Sequence, residues 1–146
     1  MGGAAAIGRA IRADISKTVR DVMLLAADNV MNATPVDTTH AANNWVLSLG
    51  SPFTGVDGSR DAPSNSAQRA GIAAVQNYDV GRDGKVFLRN NVFYLQFLDE
   101  GWSQQAPPNF VAEAFAGGVR RAPRGKKTAA RKMLRGMAAQ AYKKGY

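Results

Sequence analysis

The chain contains no cysteine. That excludes a disulfide framework, a thiolate zinc site and a thiol nucleophile. It carries a single histidine, His40. One imidazole is too few for a histidine-rich metal site and leaves most hydrolase triads without a base. No stretch approaches the ~18 apolar residues that a membrane helix needs. The opening Met-Gly-Gly-Ala-Ala-Ala-Ile lacks a charged leader, and Ala6 stands where myristoylation wants Ser or Thr. Neither secretion nor lipidation is expected. The Asn32-Ala33-Thr34 sequon is read as chance in a protein made and used in a cytoplasm.

Acidic side chains are also missing from one end. Residues 119–146 hold 10 basic and no acidic side chains, whereas residues 1–118 hold 9 basic and 11 acidic, a balance of −2. The net charge of +8 thus belongs to a basic tail on a near-neutral body. Such a tail seeks phosphate or an acidic protein face. The 146 residues are 45% hydrophobic. That is a globular composition, and a chain this long can bury roughly 68–70% of its unfolded surface in one core.

Apolar periodicity starts early. Ile7, Ile11, Ile15, Val19, Val22, Ala26 and Val30 recur at three and four residues, which predicts one helix over about 7–32 with a single buried face. Thr34-Pro35 ends it, because a residue before proline avoids helical backbone. Trp45, Leu47 and Leu49 alternate as one face of a strand stopped by Gly50-Ser51-Pro52. A polar loop follows over 51–66, then a short helix over 67–75. Asp83-Gly84 marks a turn into a second strand, 85–89. Asn90-Asn91 opens a short aromatic helix through Phe93, Tyr94, Phe97 and Leu98, with Gly101 as its C-terminal cap. Asn109 caps a helix from Phe110 to Ala116 that Gly117-Gly118 ends. Beyond Pro123, Ala130, Met133, Leu134, Met137, Ala138 and Ala141 form the apolar stripe of a last helix. The expected class is α+β: a long N-terminal helix packed on a small, mainly antiparallel sheet, short helices, and a basic helical C-terminal extension. The expected division is a body over 1–118 and the extension over 119–146. Trp45, Leu47, Leu49, Phe87, Tyr94 and Phe97 are the expected core.

Candidate chemistry is sparse. Asp57-Gly58-Ser59-Arg60-Asp61 starts like a calcium loop, but Ala62 and Gln68 stand where its glycine and glutamate belong, so it reads as a solvated loop. Gly81-Arg82-Asp83-Gly84-Lys85 has the wrong spacing for a phosphate loop and reads as a turn. Asp99 and Glu100 are helix neighbours pointing about 100° apart, fit for a solvated helix end or an intersubunit ion pair rather than acid–base work. His40 reads as a surface residue in a polar loop. No nucleophile, base and oxyanion site assemble. No enzyme activity, cofactor, metal or small-molecule substrate is expected.

Three stretches in order carry a resemblance. The first is Thr34-Pro35-Val36-Asp37-Thr38, running on to Asn44-Trp45. The second is Val86-Phe87-Leu88-Arg89-Asn90-Asn91-Val92-Phe93-Tyr94 with Leu98-Asp99-Glu100-Gly101. The third is Ser103-Gln104-Gln105-Ala106-Pro107-Pro108-Asn109-Phe110-Val111. After a long amphipathic helix, this order resembles the neck and tail-completion family of long-tailed bacteriophages, related to minor tail protein Z. The match spans roughly residues 8–118. Thr39 and His40 stand where the family commonly has glycine and a basic residue, and Phe93 replaces a proline common before its tyrosine.

The resemblance implies a non-enzymatic virion protein of the head–tail junction, assembled in the host cytoplasm. Its partners would be copies of itself in a ring (hexamer or dodecamer), the head-completion or connector protein, and the tail terminator or tail tube. A terminator ring capping the tail tube is the near alternative, and a small basic nucleic-acid-binding protein the alternative from another class. Trp102, Pro107, Pro108 and Phe110 are the expected subunit or partner contact. Arg120, Arg121, Arg124, Lys126, Lys127, Arg131, Lys132 and Arg135 are expected to reach an acidic partner or the genomic DNA in the channel.

Overall fold

The computed structural model describes residues 2–36 and 39–123. The expected helix beyond Pro123 lies outside them. The fold is α+β. Helix α1 spans Gly2–Ala33, and helix α2 spans His40–Asn43. Strand β1 covers Val46–Leu49, helix α3 Ser66–Gln76 and the one-turn helix α4 Val80–Asp83. Strand β2 covers Val86–Arg89, helix α5 Leu95–Asp99 and helix α6 Phe110–Arg121. The two strands pair antiparallel, Val46 opposite Arg89 and Leu49 opposite Val86. Val46 and Leu47 are both buried. Adjacent strand residues point to opposite faces, so both faces of β1 are covered there.

Helix α1 is the spine. Val19, Met23 and Ala27 pack with Leu47, Val75 and Tyr78. Val30 joins Trp45, Leu95, Ala106, Phe110 and Val111. Val22 and Ala26 meet Val119 and Ala122. Each of these three clusters therefore draws on α1. The start of α6 lies against Val30 and its end against Val22, so the two helices run antiparallel.

The buried stripe of α1 is shorter than its periodicity predicts. Ile15 is partly buried, but Ile11 is 54% exposed and Ile7 63%. The reason is length. A 32-residue helix spans about 48 Å, whereas a 12-residue helix such as α6 spans about 18 Å and a four-residue strand about 13 Å. The first three turns of α1 overhang the described body.

Gly117 and Gly118 correct a second expectation. They sit inside α6, which runs on to Arg121, and Val119 and Ala122 are buried against α1. A boundary drawn at 118 falls within this helix. A Cβ on Gly118 would lie 2.4 Å from Ala26 Cα and 2.5 Å from the Leu25 carbonyl oxygen. The glycine is a notch that lets two backbones touch. Gly71 does the same where α3 crosses β1, since a Cβ there would lie 2.1 Å from the Leu47 carbonyl oxygen.

The expected core is only partly the real one. Trp45 and Leu47 are buried, Leu49, Phe87 and Tyr94 are half-buried, and Phe97 is 40% exposed. Helix α5 begins only at Leu95, so helical spacing does not extend back to Phe93 and Tyr94. Within α5, Leu95 is the residue that enters the core.

The notch predicts an inverted substitution effect. In an exposed helix, Gly→Ala gains about 0.5–1 kcal/mol. Gly118→Ala should instead lose about 1–3 kcal/mol, the range for overpacking. Gly117→Ala should lose less, because its first contact is the movable end of the Asn29 side chain, 2.8 Å away. Urea unfolding of the three proteins checks the order.

Candidate assembly surface

The end of α1 is closed by Thr34, which is 2% exposed. Its hydroxyl donates to the Val30 carbonyl oxygen at 2.7 Å and accepts from the Trp45 indole Nε1 at 2.8 Å. A buried indole N–H needs a partner, and this one sets the tryptophan against Val30. The chain then turns through Thr39, whose φ is +63°. Asp37 and Thr38 lie outside the described residues. A β-branched residue at positive φ is strained, because its Cβ crowds the backbone.

His40 is not the surface residue expected. It opens α2 and is 7% exposed, with its Nδ1 3.3 Å from the Asn44 amide nitrogen and its ring centroid 6.3 Å from that of Tyr94. The Asn44 amide nitrogen donates to the His40 carbonyl oxygen at 2.8 Å and to the Asp57 carbonyl oxygen at 3.0 Å. The Asn44 Oδ1 accepts from the Asp57 N–H at 2.7 Å. One buried amide thus ties α2 to the loop over 50–65.

Asp57 itself is a helix cap supplied from outside the helix. Its Oδ2 accepts from the N–H of Ala67, in the first turn of α3, at 2.9 Å. The α3 N-cap residue, Asn65, makes no side-chain capping bond. The Ala67 N–H, followed by the Ser64 hydroxyl, holds the Asp57 carboxyl below its ordinary value of 3.8. Asp99 is likewise a cap from outside the helix, for α6. Its Oδ1 accepts from the Val111 N–H at 3.1 Å, and its carbonyl oxygen accepts from the Asn109 N–H at 2.7 Å. Asn109 is the N-cap residue at φ +63°, yet its side chain makes no capping bond. Asp99 is 8% exposed, so it is neither a solvated helix end nor a free ion-pair partner. Aspartate suits both places because a helix N-terminus presents unpaired N–H groups and partial positive charge.

The remaining polar bonds bring the three sequence stretches together. Asn90 Nδ2 donates to the Ala41 carbonyl oxygen at 2.7 Å. Asn91 Nδ2 donates to the carbonyl oxygens of Phe53 and Gly55 at 2.9 and 3.0 Å. The Val36 N–H donates to Gln105 Oε1 at 2.9 Å. Among the described residues, no buried side-chain nitrogen or oxygen lacks a partner.

An aromatic surface sits on this framework. Helix α5 ends with Gly101 at φ +94°, the Gly101 N–H bonded to the Leu98 carbonyl and the Trp102 N–H to the Phe97 carbonyl. This paired closure brings Trp102 back over Phe97, ring centroids 4.9 Å apart. Trp102 is 74% exposed and Phe93 85%. Pro107 is exposed, and Pro108 is exposed while its ring closes over Gly101. Phe110 is the correction to the expected contact set. It is 3% exposed and packs with Val30, Trp45 and Leu95, because as the first residue of α6 it is pulled inward by the Asp99 cap. Phe97, one of the four aromatics expected in the core, takes an exposed place beside Trp102.

Of the basic residues expected to meet an acidic partner, two are described. Arg120 is exposed. Arg121 turns back on α1, with Nη1 bonded to Asn29 Oδ1 and 3.4 Å from Asp28 Oδ2. Arg124, Lys126, Lys127, Arg131, Lys132 and Arg135 lie outside the described residues. Also among the described residues, no group of three His, Cys, Asp or Glu side chains converges as a metal site.

Comparisons with family models, with curated proteins and with solved structures find no match for this chain.

Two substitutions test the local physics. Thr39→Gly should stabilise the protein by about 1 kcal/mol, since glycine enters the left-handed region without the steric cost. A raised urea midpoint is the expected result. Asp57→Asn should lower stability by an amount that depends on pH. The folded carboxyl titrates below its ordinary value, so its contribution is present above that value and disappears as pH falls through the folded one. The gap between the two proteins should be constant from about pH 7 to 5 and close below about pH 4. Urea midpoints across that range measure it.

Proposed function

We propose that this chain is a structural protein of the head–tail junction of a long-tailed phage. Copies assemble into a ring that joins the head connector to the tail. Its work is assembly, and no covalent step is assigned to it.

The observation that carries this reading is the backbone at Thr39. The family that the sequence resembles commonly has glycine at that place, and here the residue has φ +63°, a conformation glycine accepts freely. A threonine standing in a glycine's conformation is what a departure within a shared local fold produces. The contacts among the three stretches add support. Gln105 of the third holds Val36 of the first, Asn90 of the second holds Ala41, and Asp99 of the second caps the helix that the third begins. Three motifs apart in sequence form one polar-pinned end of the molecule, with Phe93, Phe97 and Trp102 exposed upon it. Charge fits the same role. A near-neutral body with a basic end offers unlike surfaces, and head-to-tail contacts between unlike surfaces close into rings. The basic residues over 120–135, except Arg121, which is held by Asn29 and Asp28 of α1, are assigned to an acidic neighbour or to DNA passing through the ring.

The test is electron microscopy of a phage lysate in which this gene is silenced, with purified protein added back to half. The expected result is separate filled heads and finished tails that join on add-back. Overlong tails would move the protein to the tail terminator, and normal infectious particles would remove it from the junction.

A further inference from the structure

The overhanging start of α1 presents a definite face. About three helical turns separate Ile11 from Val22 and about five separate Ile7 from Leu25, whole turns in both cases. Ile11 therefore stands on the line of Val22, and Ile7 on the line of Leu25. Those lines belong to the interface with α6. Val22 and Ala26 pack with Val119 and Ala122, and Leu25 packs against them. Gly118 rests on the backbone of Leu25 and Ala26. Ile7 and Ile11, 63% and 54% exposed, thus prolong the strip of α1 that α6 covers. Arg9 and Arg12 point about 100° or more away from both isoleucines, whereas Asp14 lies within about 60° of both.

We propose that the C-terminal segment of the same chain covers this prolongation: residues 124–146 fold back along α1 and seat Met133, Leu134 and Met137 on Ile7 and Ile11. Direction supports this occupant. Helix α6 runs antiparallel to α1 and ends at Arg121, with Ala122 against Val22, so the chain leaves it heading for the start of α1. Length supports it too. Ile11 and Ile7 lie roughly 16 and 22 Å beyond Val22 along the axis. In the helix that the sequence predicts beyond Pro123, the apolar stripe from Ala130 to Ala141 covers roughly 12 to 28 Å past Ala122.

Charge selects the same segment. Asp14, Asp21 and Asp28 follow one another at seven-residue spacing along one edge of the strip. Arg121 already meets Asp28 at 3.4 Å, and Lys17 takes Asp21 at 2.6 Å. Asp14 is exposed beside the isoleucines. Residues 119–146 hold 10 basic and no acidic side chains, and Lys126 and Lys127 lead into the apolar stripe at about the level of Asp14. Lys132 and Arg135 fall on the side of that helix away from the stripe. Docking therefore uses the apolar half of the segment and leaves a basic half facing outward. The contact is internal to one chain and stands whether or not copies form a ring.

The chain has no cysteine, so introduced pairs report alone. Ile11→Cys is combined, in the full-length chain, with Ala130→Cys, Met133→Cys or Met137→Cys. Arg9→Cys, on another side of α1, is combined with the same three. A disulfide needs Cα atoms within about 7 Å, and a segment sampling every side of α1 would bond both sites alike. Each protein is oxidised and run on a non-reducing gel. At least one Ile11→Cys protein should close a disulfide within one chain about tenfold faster than any Arg9→Cys protein, at a rate that dilution leaves unchanged. A second readout needs no cysteine. Amide hydrogen exchange over residues 7–15 is compared between the unaltered chain and one carrying Met133→Asp with Met137→Asp. Exchange there should be about tenfold faster in the variant, because an uncovered helix end frays, while the amides of Val22 and Val30 keep their protection. Equal rates for Ile11→Cys and Arg9→Cys would overturn the proposal. So would disulfides formed only between chains, which seat a second copy on the strip, or exchange over 7–15 that ignores the two aspartates.

Discussion

The contact between Gly118 and Ala26 is the constraint from which the rest of the architecture follows. It lets α6 lie directly on the backbone of α1. That closeness puts Phe110 and Val111 beside Val30 at one end of the pair and Val119 and Ala122 beside Val22 at the other. The position of α6 then determines where its N-terminus points, and Asp99 must be there to cap it. Asp99 is the last residue of α5, so the cap also orients α5. The orientation of α5 decides that Leu95 goes inward and that Phe97 and Trp102 face outward. A contact between two small residues thus reaches, through one carboxylate, the surface proposed for assembly.

The second organising feature is the way backbone polarity is satisfied. Among the described residues the sheet is two strands of four residues, too small to hold the loops by itself. Side chains do that work. Thr34 links α1 to Trp45, Asn44 links α2 to Asp57, and Asn91 holds the loop at Phe53 and Gly55. Asp57 and Asp99 each end a distant helix that its own N-cap residue leaves uncapped. Each bond is worth only about 1 kcal/mol net, but leaving its buried partner unsatisfied costs about 1–3 kcal/mol. The arrangement is therefore specific more than it is strong. It suits a protein whose proposed task is to present fixed surfaces to neighbours.

The two ends of the body differ. The near-neutral body presents aromatic rings at one end and an overhanging apolar helix at the other. Thr39 meets a physical need after the spine helix, a left-handed turn, in a conformation that glycine accepts freely.

Much of this was legible in the residues alone. The 3.6-residue periodicity places α1, Thr34-Pro35 ends it, alternation stopped by Gly50-Ser51-Pro52 places β1, and the Asp83-Gly84 turn places β2, because these signals depend on near neighbours in the chain. The absence of cysteine and the division of charge at about residue 119 need no fold at all. Other features depend on which distant segment arrives. Phe97 and Phe110 exchange their expected places, since whether an aromatic is covered depends on what packs over it. Gly117-Gly118 looks like a helix stop until α1 is laid against it. Asp57, Asp99 and His40 read as solvated residues because the groups that bury or bind them lie on other segments or turn back over them. Periodicity is a property of a segment and can be read from it. Burial and capping are relations between segments, and only the tertiary structure decides them.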